Sequence, residues 1–305
     1  MPIRLGTRGS ALARWQADWV AAELRARSIE IELVLITTSG DRRLDSLAAF
    51  GGQGVFTKEI QQALIDGRVD VAVHSLKDLP TEQPVELHVA AVPERAVCGD
   101  VLVSPNFDTL AKLPTNATVG TSSHRRQAQL LHVRPDLEIN EIRGNVDTRL
   151  KKVHSGEFDA IVLAEAGVTR LGLTAEITER LPFELLMPAV GQGALAIETR
   201  KDDVAANSAV ASLDHRETHA AVLAERAMLA ALRAGCLAPV AAWGRIDGDQ
   251  LLLSGRVISL DGRILLEGQS AAAPEDGMLL GRRVADELLD QGAAEVIQAA
   301  RGSQP

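Results

Sequence analysis

Three short segments of the chain combine glycine, a small hydroxyl side chain and arginine. They are Thr7-Arg8-Gly9-Ser10, Gly120-Thr121-Ser122-Ser123-His124-Arg125-Arg126 and Arg143-Gly144-Asn145-Val146-Asp147-Thr148-Arg149. Each stands where a strand-like run gives way to a helix-like one. A helix N-terminus offers unpaired backbone N–H groups and a partial positive charge, and arginine adds a two-pronged grip on a carboxylate or phosphate. Taken singly, each segment is also explained by arginines on a helix surface. Three of them in an acidic chain point to one polyanion-binding cleft. A fourth segment, His74-Ser75-Leu76-Lys77-Asp78-Leu79-Pro80, follows an apolar run at 69–73. This puts Lys77 and Asp78 at the carboxyl end of a buried strand, facing that cleft. Asp78 has the chemistry of a general acid–base, or of a counter-ion to a cation formed in a reaction. A turn aspartate bonding its own backbone before Pro80 is the simpler alternative. Cys236, in Arg233-Ala234-Gly235-Cys236-Leu237-Ala238-Pro239, sits at a helix end before a strand. It reads either as an exposed nucleophile or as a buried structural thiol. Cys98 has no comparable setting and is expected to be inert.

The elements that must hold these residues alternate. Strands are expected at 3–7, 29–38, 69–74, 101–104, 118–121, 137–142 and 159–164. Helices are expected at 10–27 with Ser10 as cap, at 57–66, from Ser123, and at 146–154. This alternation implies α/β layers with mostly parallel sheets, in two lobes of similar size joined near 94–100. Ligands of such sheets bind at the carboxyl ends of the strands. The last third differs. An Ala/Leu-rich helix at 220–232 precedes three strands at 240–246, 251–259 and 264–270. Asp247-Gly248 and Asp261-Gly262 separate them as hairpin signals, and helices follow from about 276. This is a separate α+β domain with a three-stranded antiparallel sheet, beginning near 213–218.

Composition removes several function classes. The formal net charge is −9 over 305 residues, so nucleic acid would meet net repulsion. Tyrosine is absent and aromatics are 3%, which leaves little to stack bases on. No apolar run approaches the roughly 20 residues needed to span a bilayer, so no membrane partner is expected. No secretory pattern opens the chain, and two cysteines make neither a disulfide framework nor a zinc site; a cytoplasmic location with reduced thiols is expected. The histidines lack metal-ligand spacing, so no metal is expected. Gly51-Gly52-Gln53-Gly54 lacks the Lys-Ser/Thr ending of a phosphate loop and reads as a mobile lid.

Together the segments resemble the porphobilinogen deaminase family along nearly the whole chain. The resemblance rests on Gly6-Thr7-Arg8 with Ser10-Ala11-Leu12-Ala13, Gly51-Gly52 through Phe56-Thr57-Lys58-Glu59, and Ala72 through Pro80. It continues in Val119 through Ser123 with Arg125-Arg126, Arg143-Gly144-Asn145-Val146 with Thr148-Arg149, Pro188-Ala189-Val190-Gly191-Gln192-Gly193-Ala194, and Gly235-Cys236 with Pro239. It implies two doubly wound α/β lobes like type 2 periplasmic binding proteins plus the α+β domain. The implied boundaries are 1–95 with 194–213, then 96–193, then 214–305, the run 194–199 rejoining the first sheet. It implies a monomeric transferase that condenses four porphobilinogen molecules head to tail, releases ammonia, and frees a linear tetrapyrrole. It also implies a dipyrromethane cofactor in thioether linkage to Cys236, and Asp78 stabilising positive charge on pyrrole nitrogens. By the same resemblance Arg8, Arg125, Arg126, Arg143, Arg149 and Arg170 bind acetate and propionate groups, with Lys77, Ser10, Thr121 and Ser123 assisting. Cofactor contacts are assigned to Lys77, Asp78, Thr121, Ser123, Arg125, Arg126, Arg143 and Gly144, and substrate contacts to Arg8, Ser10, Arg149, Arg170 and Gln192. A porphobilinogen carries two carboxylates, which accounts for so many arginines.

The chain departs from the family pattern at Ala49 and Gln53, where lysines are common, and at His124, where leucine is usual. It also departs beside Cys236 and at Glu165, which replaces a small or apolar residue. Two other readings compete. A two-lobed anion-binding protein explains the arginines but not Asp78 and Cys236, and a thiol hydrolase using Cys236 has no local signature behind it.

Overall fold

Two valine- and alanine-rich runs, Val71–Ser75 and Ala160–Ala164, form the middle strands of two five-stranded sheets in the computed structural model. The structure describes residues 1–37, 57–235 and 238–302. Four residues of each run are buried in succession, as in a strand covered on both faces.

The first sheet contains β1 (Ile3–Thr7), β2 (Ile31–Leu35), β3 (Val71–Ser75), β4 (Leu87–Ala91) and, from later in the chain, β10 (Leu195–Arg200). Their order is β2-β1-β3-β10-β4. Alternate side chains of β3 serve opposite faces. Val71 and Val73 pack with α1 (Ala11–Arg25) and α6 (Val204–Ala211), whereas Ala72 packs with α2 (Lys58–Ile65). The second sheet contains β5 (Asp100–Val103), β6 (Thr118–Gly120), β7 (Glu138–Asn140), β8 (Ala160–Ala164) and β9 (Glu179–Leu181), in the order β7-β6-β8-β5-β9. Val162 faces α3 (His124–Val133), and Ile161 and Leu163 face α4 (Val146–His154) and α5 (Glu165–Arg170). Both sheets are thus wound on two faces.

The expectation of mostly parallel sheets needs correcting. β1 pairs parallel with β2 and β3, but β10 runs antiparallel to both β3 and β4. The second sheet repeats this: β6 is parallel to β7 and β8, whereas β5 is antiparallel to β8 and β9. In each sheet the odd strand comes from the segment that enters or returns from the other half of the chain. Periodicity within a segment cannot reveal that insertion. The sequence reading also passes over β4, β9, α5 and α6. All four span eight residues or fewer, with little periodic signal.

After α7 (Arg216–Ala231) the chain forms a three-stranded antiparallel sheet of β11 (Val240–Asp247), β12 (Gln250–Ile258) and β13 (Leu265–Ala272). The first hairpin pairs Asp247 with Gln250, so its two loop residues are Gly248 and Asp249, one place later than the Asp-Gly signal suggests. Gly248 takes φ +57°, as a tight hairpin requires. The second pairs Ile258 with Leu265 across a six-residue loop, longer than an Asp-Gly turn. Gly262, in that loop, has its Cα against the backbone of Leu131 and His132; a Cβ there would lie 2.4 Å from the His132 nitrogen. Helices α8 (Gly277–Asp290) and α9 (Ala293–Gly302) complete a core with α7 around Leu253, Met228, Val284 and Leu288.

The chain divides into two compact units, Met1–Ala96 with Gly193–His219, and Val97–Gln192 with Ala220–Pro305. The first holds the first five-stranded sheet. The second holds the other two sheets.

Candidate active site

In the first unit, β1 and β3 run parallel, so their carboxyl ends share one edge of the sheet. That edge carries Thr7, half-buried Arg8 and Ser10 after β1. Ser10 caps α1, its Oγ accepting from Ala13 N at 3.4 Å. After β3 the same edge carries a single 3-10 turn, Leu76–Asp78, closed by Leu79 N donating to Leu76 O at 3.1 Å. Leu76 is buried and anchors the turn, Lys77 is half-buried, and Asp78 is exposed. Behind the turn, His74 Nε2 donates to buried Glu198 at 3.0 Å, and Gln61 donates to the same carboxylate at 2.8 Å. Gln16 of α1 donates to Ser75 Oγ at 2.8 Å, tying the end of β3 to the helix that Ser10 caps. Arg8, Ser10, Lys77 and Asp78 therefore come to one edge, as the sequence predicts for a sheet of this type.

In the second unit, the parallel strands β6, β7 and β8 again bring three segments to one edge. Thr121 is buried, donates its N–H to Asn140 O at 2.9 Å, and accepts from Ser123 N at 3.2 Å. Ser123 caps α3 and Asn145 caps α4. Gly144 takes φ +111°, and a Cβ there would meet Thr148 at 2.8 Å, so the turn demands glycine. The Gly144 carbonyl accepts from Arg149 Nε at 2.8 Å. Arg143 pairs with its near neighbour Glu141 at 2.9 Å, a half-exposed contact of little energetic weight. Burial pulls Arg149 down to about 10, helped by the nearby charge of Arg126. Burial does the same to Arg170, at the last position of α5.

Arg125 and Arg126 are more deeply placed than surface arginines, at 3% and 6% exposed. Both face Asp100, at the start of β5. Arg125 Nη2 lies 2.7 Å from Asp100 Oδ2, and Arg126 Nη2 lies 2.7 Å from Oδ1. Gln192 Nε2 donates to Asp100 Oδ1 at 2.9 Å and to Cys98 O at 2.8 Å. Arg125 Nη1 donates to Met187 O at 2.6 Å. Burial by itself would raise the Asp100 pKa, but the two guanidiniums overcome this and hold it at about 2. Asp100 escaped the sequence reading because an aspartate opening an apolar strand carries no local signature, and its partners lie 25, 26 and 92 positions away.

A pH prediction follows from this carboxylate. Its folded pKa lies below its ordinary value of 3.8, so its stabilising effect is complete above about pH 4 and disappears as pH falls through about 2. The full effect is on the order of 2 kcal/mol. In urea titrations from pH 5 to 2, Asp100→Asn should show a shallower acid loss of stability than the parent chain. At neutral pH it should be the less stable of the two, since it leaves two buried guanidiniums without a counter-charge. Parallel acid limbs would refute the assignment.

Cys236 and the segment 51–54, with Ala49 and Gln53, lie outside the described residues, as does the end of the strand expected at 29–38. His124 is the first, half-buried residue of α3. Glu165 is buried and accepts from Arg180 Nε at 2.6 Å. Cys98 is buried. Among the described residues no three His, Cys, Asp or Glu side chains cluster as a metal site, and no helix is long and apolar enough to cross a membrane.

Comparison with known proteins adds the chemistry. Residues 3–208 match the family described as porphobilinogen deaminase, dipyromethane cofactor binding domain, and residues 219–290 match the porphobilinogen deaminase C-terminal domain. A porphobilinogen deaminase of Geobacter sulfurreducens is 47% identical over 298 residues, covering 97% of this chain and 93% of its own. Another, from Desulforudis audaxviator, is 48% identical and covers 98% of both chains. Among solved structures, a periplasmic substrate-binding protein of an ABC transporter from Coxiella burnetii aligns with 73% of this chain and 94% of its own, at 15% identity and a TM-score of 0.46. Neither a binding protein without catalysis nor a thiol hydrolase accounts for near-full-length identity of this size. With both family models matched and close to half of its residues identical to these relatives over nearly its whole length, the chain belongs to the porphobilinogen deaminase family.

Proposed function

We propose that the chain condenses four porphobilinogen molecules head to tail on a dipyrromethane primer attached to Cys236, releasing ammonia at each addition and finally freeing hydroxymethylbilane. The observation that carries this reading is the charge balance in the second unit. Arg125 and Arg126 share one buried carboxylate, Asp100, Arg149 lies close enough to Arg126 to feel its charge, and Arg125 Nε is buried with no hydrogen-bond partner. Surplus positive charge in a desolvated place is costly unless a ligand supplies anions. A molecule bearing several acetate and propionate groups fits that requirement.

When bound, the dipyrromethane supplies a pyrrole carbon onto which the substrate units are joined. The chain's own residues do the rest. Arg125 and Arg126, held in direction by Asp100, grip cofactor carboxylates, with Arg143, the backbone of Gly144 and the hydroxyls of Thr121 and Ser123 beside them. Arg8, Ser10, Arg149 and Arg170 take the carboxylates of incoming and displaced rings, whereas Gln192, assigned to substrate by the resemblance, is buried with its amide donated to Asp100 and Cys98 and supports the arginines instead. Asp78 holds positive charge that develops on pyrrole nitrogen as ammonia leaves and accepts the proton that coupling releases. Lys77 adds a cation beside it. The division into three domains, 1–95 with 194–213, 96–193 and 214–305, is part of the same reading. So are a cytoplasmic location and a monomeric state, with no nucleic-acid partner.

The arginines should fall into two classes. Loss of a charge-assisted bidentate contact costs about 1.5–3 kcal/mol. Some replacements should block cofactor assembly; others, such as Arg149→Leu, should load cofactor and then stall at one substrate-bound stage. Intact mass after mixing with porphobilinogen separates the classes, since each added ring raises the covalent mass by a fixed step. If Leu variants at Arg8, Arg125, Arg126, Arg143, Arg149 and Arg170 all elongate like the parent, the carboxylate-cleft reading fails.

A further inference from the structure

We infer that Glu225, a fully buried carboxylate on α7, is a positioning residue for the arginine pair, acting through the segment 187–192. The inference rests on the reading of Arg125 and Arg126 as carboxylate holders and concerns what keeps them aimed. Glu225 accepts two backbone N–H groups from separate parts of the second unit, Gly191 at 2.7 Å and Gly244 at 2.8 Å. Gly244 lies on β11, and its bare Cα lets that strand close onto α7. A Cβ there would stand 2.7 Å from the Ala221 carbonyl oxygen. Gly191 takes φ +70°, a left-handed turn that favours glycine. A carboxylate withdrawn from water persists only when partners meet its charge, and these two donors are among them.

The segment that Glu225 grips is the one on which the arginines lean. Met187 O receives Arg125 Nη1, and Gln192 Nε2 holds the Asp100 oxygen that also binds Arg126. A second stitch, Ala242 N donating to Pro188 O at 3.0 Å, ties the same segment to the same strand β11. Glu225 thus links the sheet that follows Cys236 in the chain to the two supports of the guanidiniums. Each link is short: one carboxylate, one backbone turn from Gly191 to Gln192, one amide, one buried aspartate.

A residue acting along this route must share its effect with Gln192. Steady-state kinetics with porphobilinogen on Glu225→Gln, Gln192→Leu and the double variant test this. Each single change should lower kcat/KM by roughly tenfold, within the range for groups sharing one network. The double variant should fall no further than the worse single. Glu225→Asp keeps the charge but is one methylene short; it should lose less than Glu225→Gln, and it serves in the cycle if Glu225→Gln does not accumulate folded. Parent-like kcat/KM in the Glu225 variant, or a double variant that loses the product of the two factors, overturns the inference. A purely structural role gives that multiplicative result. Arg125→Leu separates the layers: parent-like kinetics there would remove the underlying reading, whereas a crippled Arg125→Leu with a multiplicative Glu225–Gln192 cycle would remove only this inference.

Discussion

Replacement of Asp78 by asparagine is expected to lower turnover by roughly 10²–10⁴-fold, the usual reach of a positioned acid–base group. The fold should be spared. Asp78 is exposed, and the turn that carries it is held by buried Leu76 and by backbone bonds that the substitution leaves intact. Exposed substitutions of this kind typically change stability by less than about 0.5 kcal/mol. Asparagine has nearly the shape of aspartate but neither holds a positive charge nor accepts a proton. Asp78→Glu keeps both abilities on a longer arm and should retain more activity. Single-turnover rates of ammonia release, beside thermal unfolding of the same samples, check the claim. Near-parent turnover in Asp78→Asn would leave the aspartate as a turn residue only.

Loss of the Cys236 thiol should have a still larger effect, because it removes the point of attachment. Cys236→Ser is expected to give a chain with the mass of its bare sequence and no measurable product. Cys98→Ser should keep both the adduct and the activity. The contrast has a structural basis on one side: the Cys98 residue is 8% exposed, and its carbonyl accepts from Gln192. A residue this buried offers little access to a bulky two-ring group. Peptide mapping of the parent would locate the adduct directly. An adduct on the peptide containing Cys98 would overturn the assignment.

Much of the candidate site was legible because it is written in local chemistry. Ser10, Ser123 and Asn145 cap helices as their side-chain oxygens and neighbours require, and helix 146–154 begins and ends where its periodicity places it. The turn at Leu76–Asp78 follows a buried strand, so its position at a sheet edge comes from the same short stretch. Arg125 and Arg126 were singled out for their type. Their depth was not foreseeable, since nothing within α3 shows that the guanidiniums would be buried against Asp100.

What the sequence alone determined is therefore the set of elements with strong period or caps, the antiparallel C-terminal sheet, and the residue types offered to an anionic ligand. Those features depend on hydrogen bonds and side-chain spacing within about ten residues, which a linear string records. The tertiary structure decided the rest. It set β10 between β3 and β4 and β5 between β8 and β9, turning two expected parallel sheets into half-antiparallel ones. It moved the first hairpin by one residue and lengthened the second, because register is fixed by pairing across strands rather than by the turn dipeptide. It assembled Asp100, Gln192, Glu225 and Met187 around the arginines from positions up to 125 residues apart (Asp100 to Glu225). A buried charge finds its partner through space, and the cost of leaving it unmet, not any motif, selects those residues.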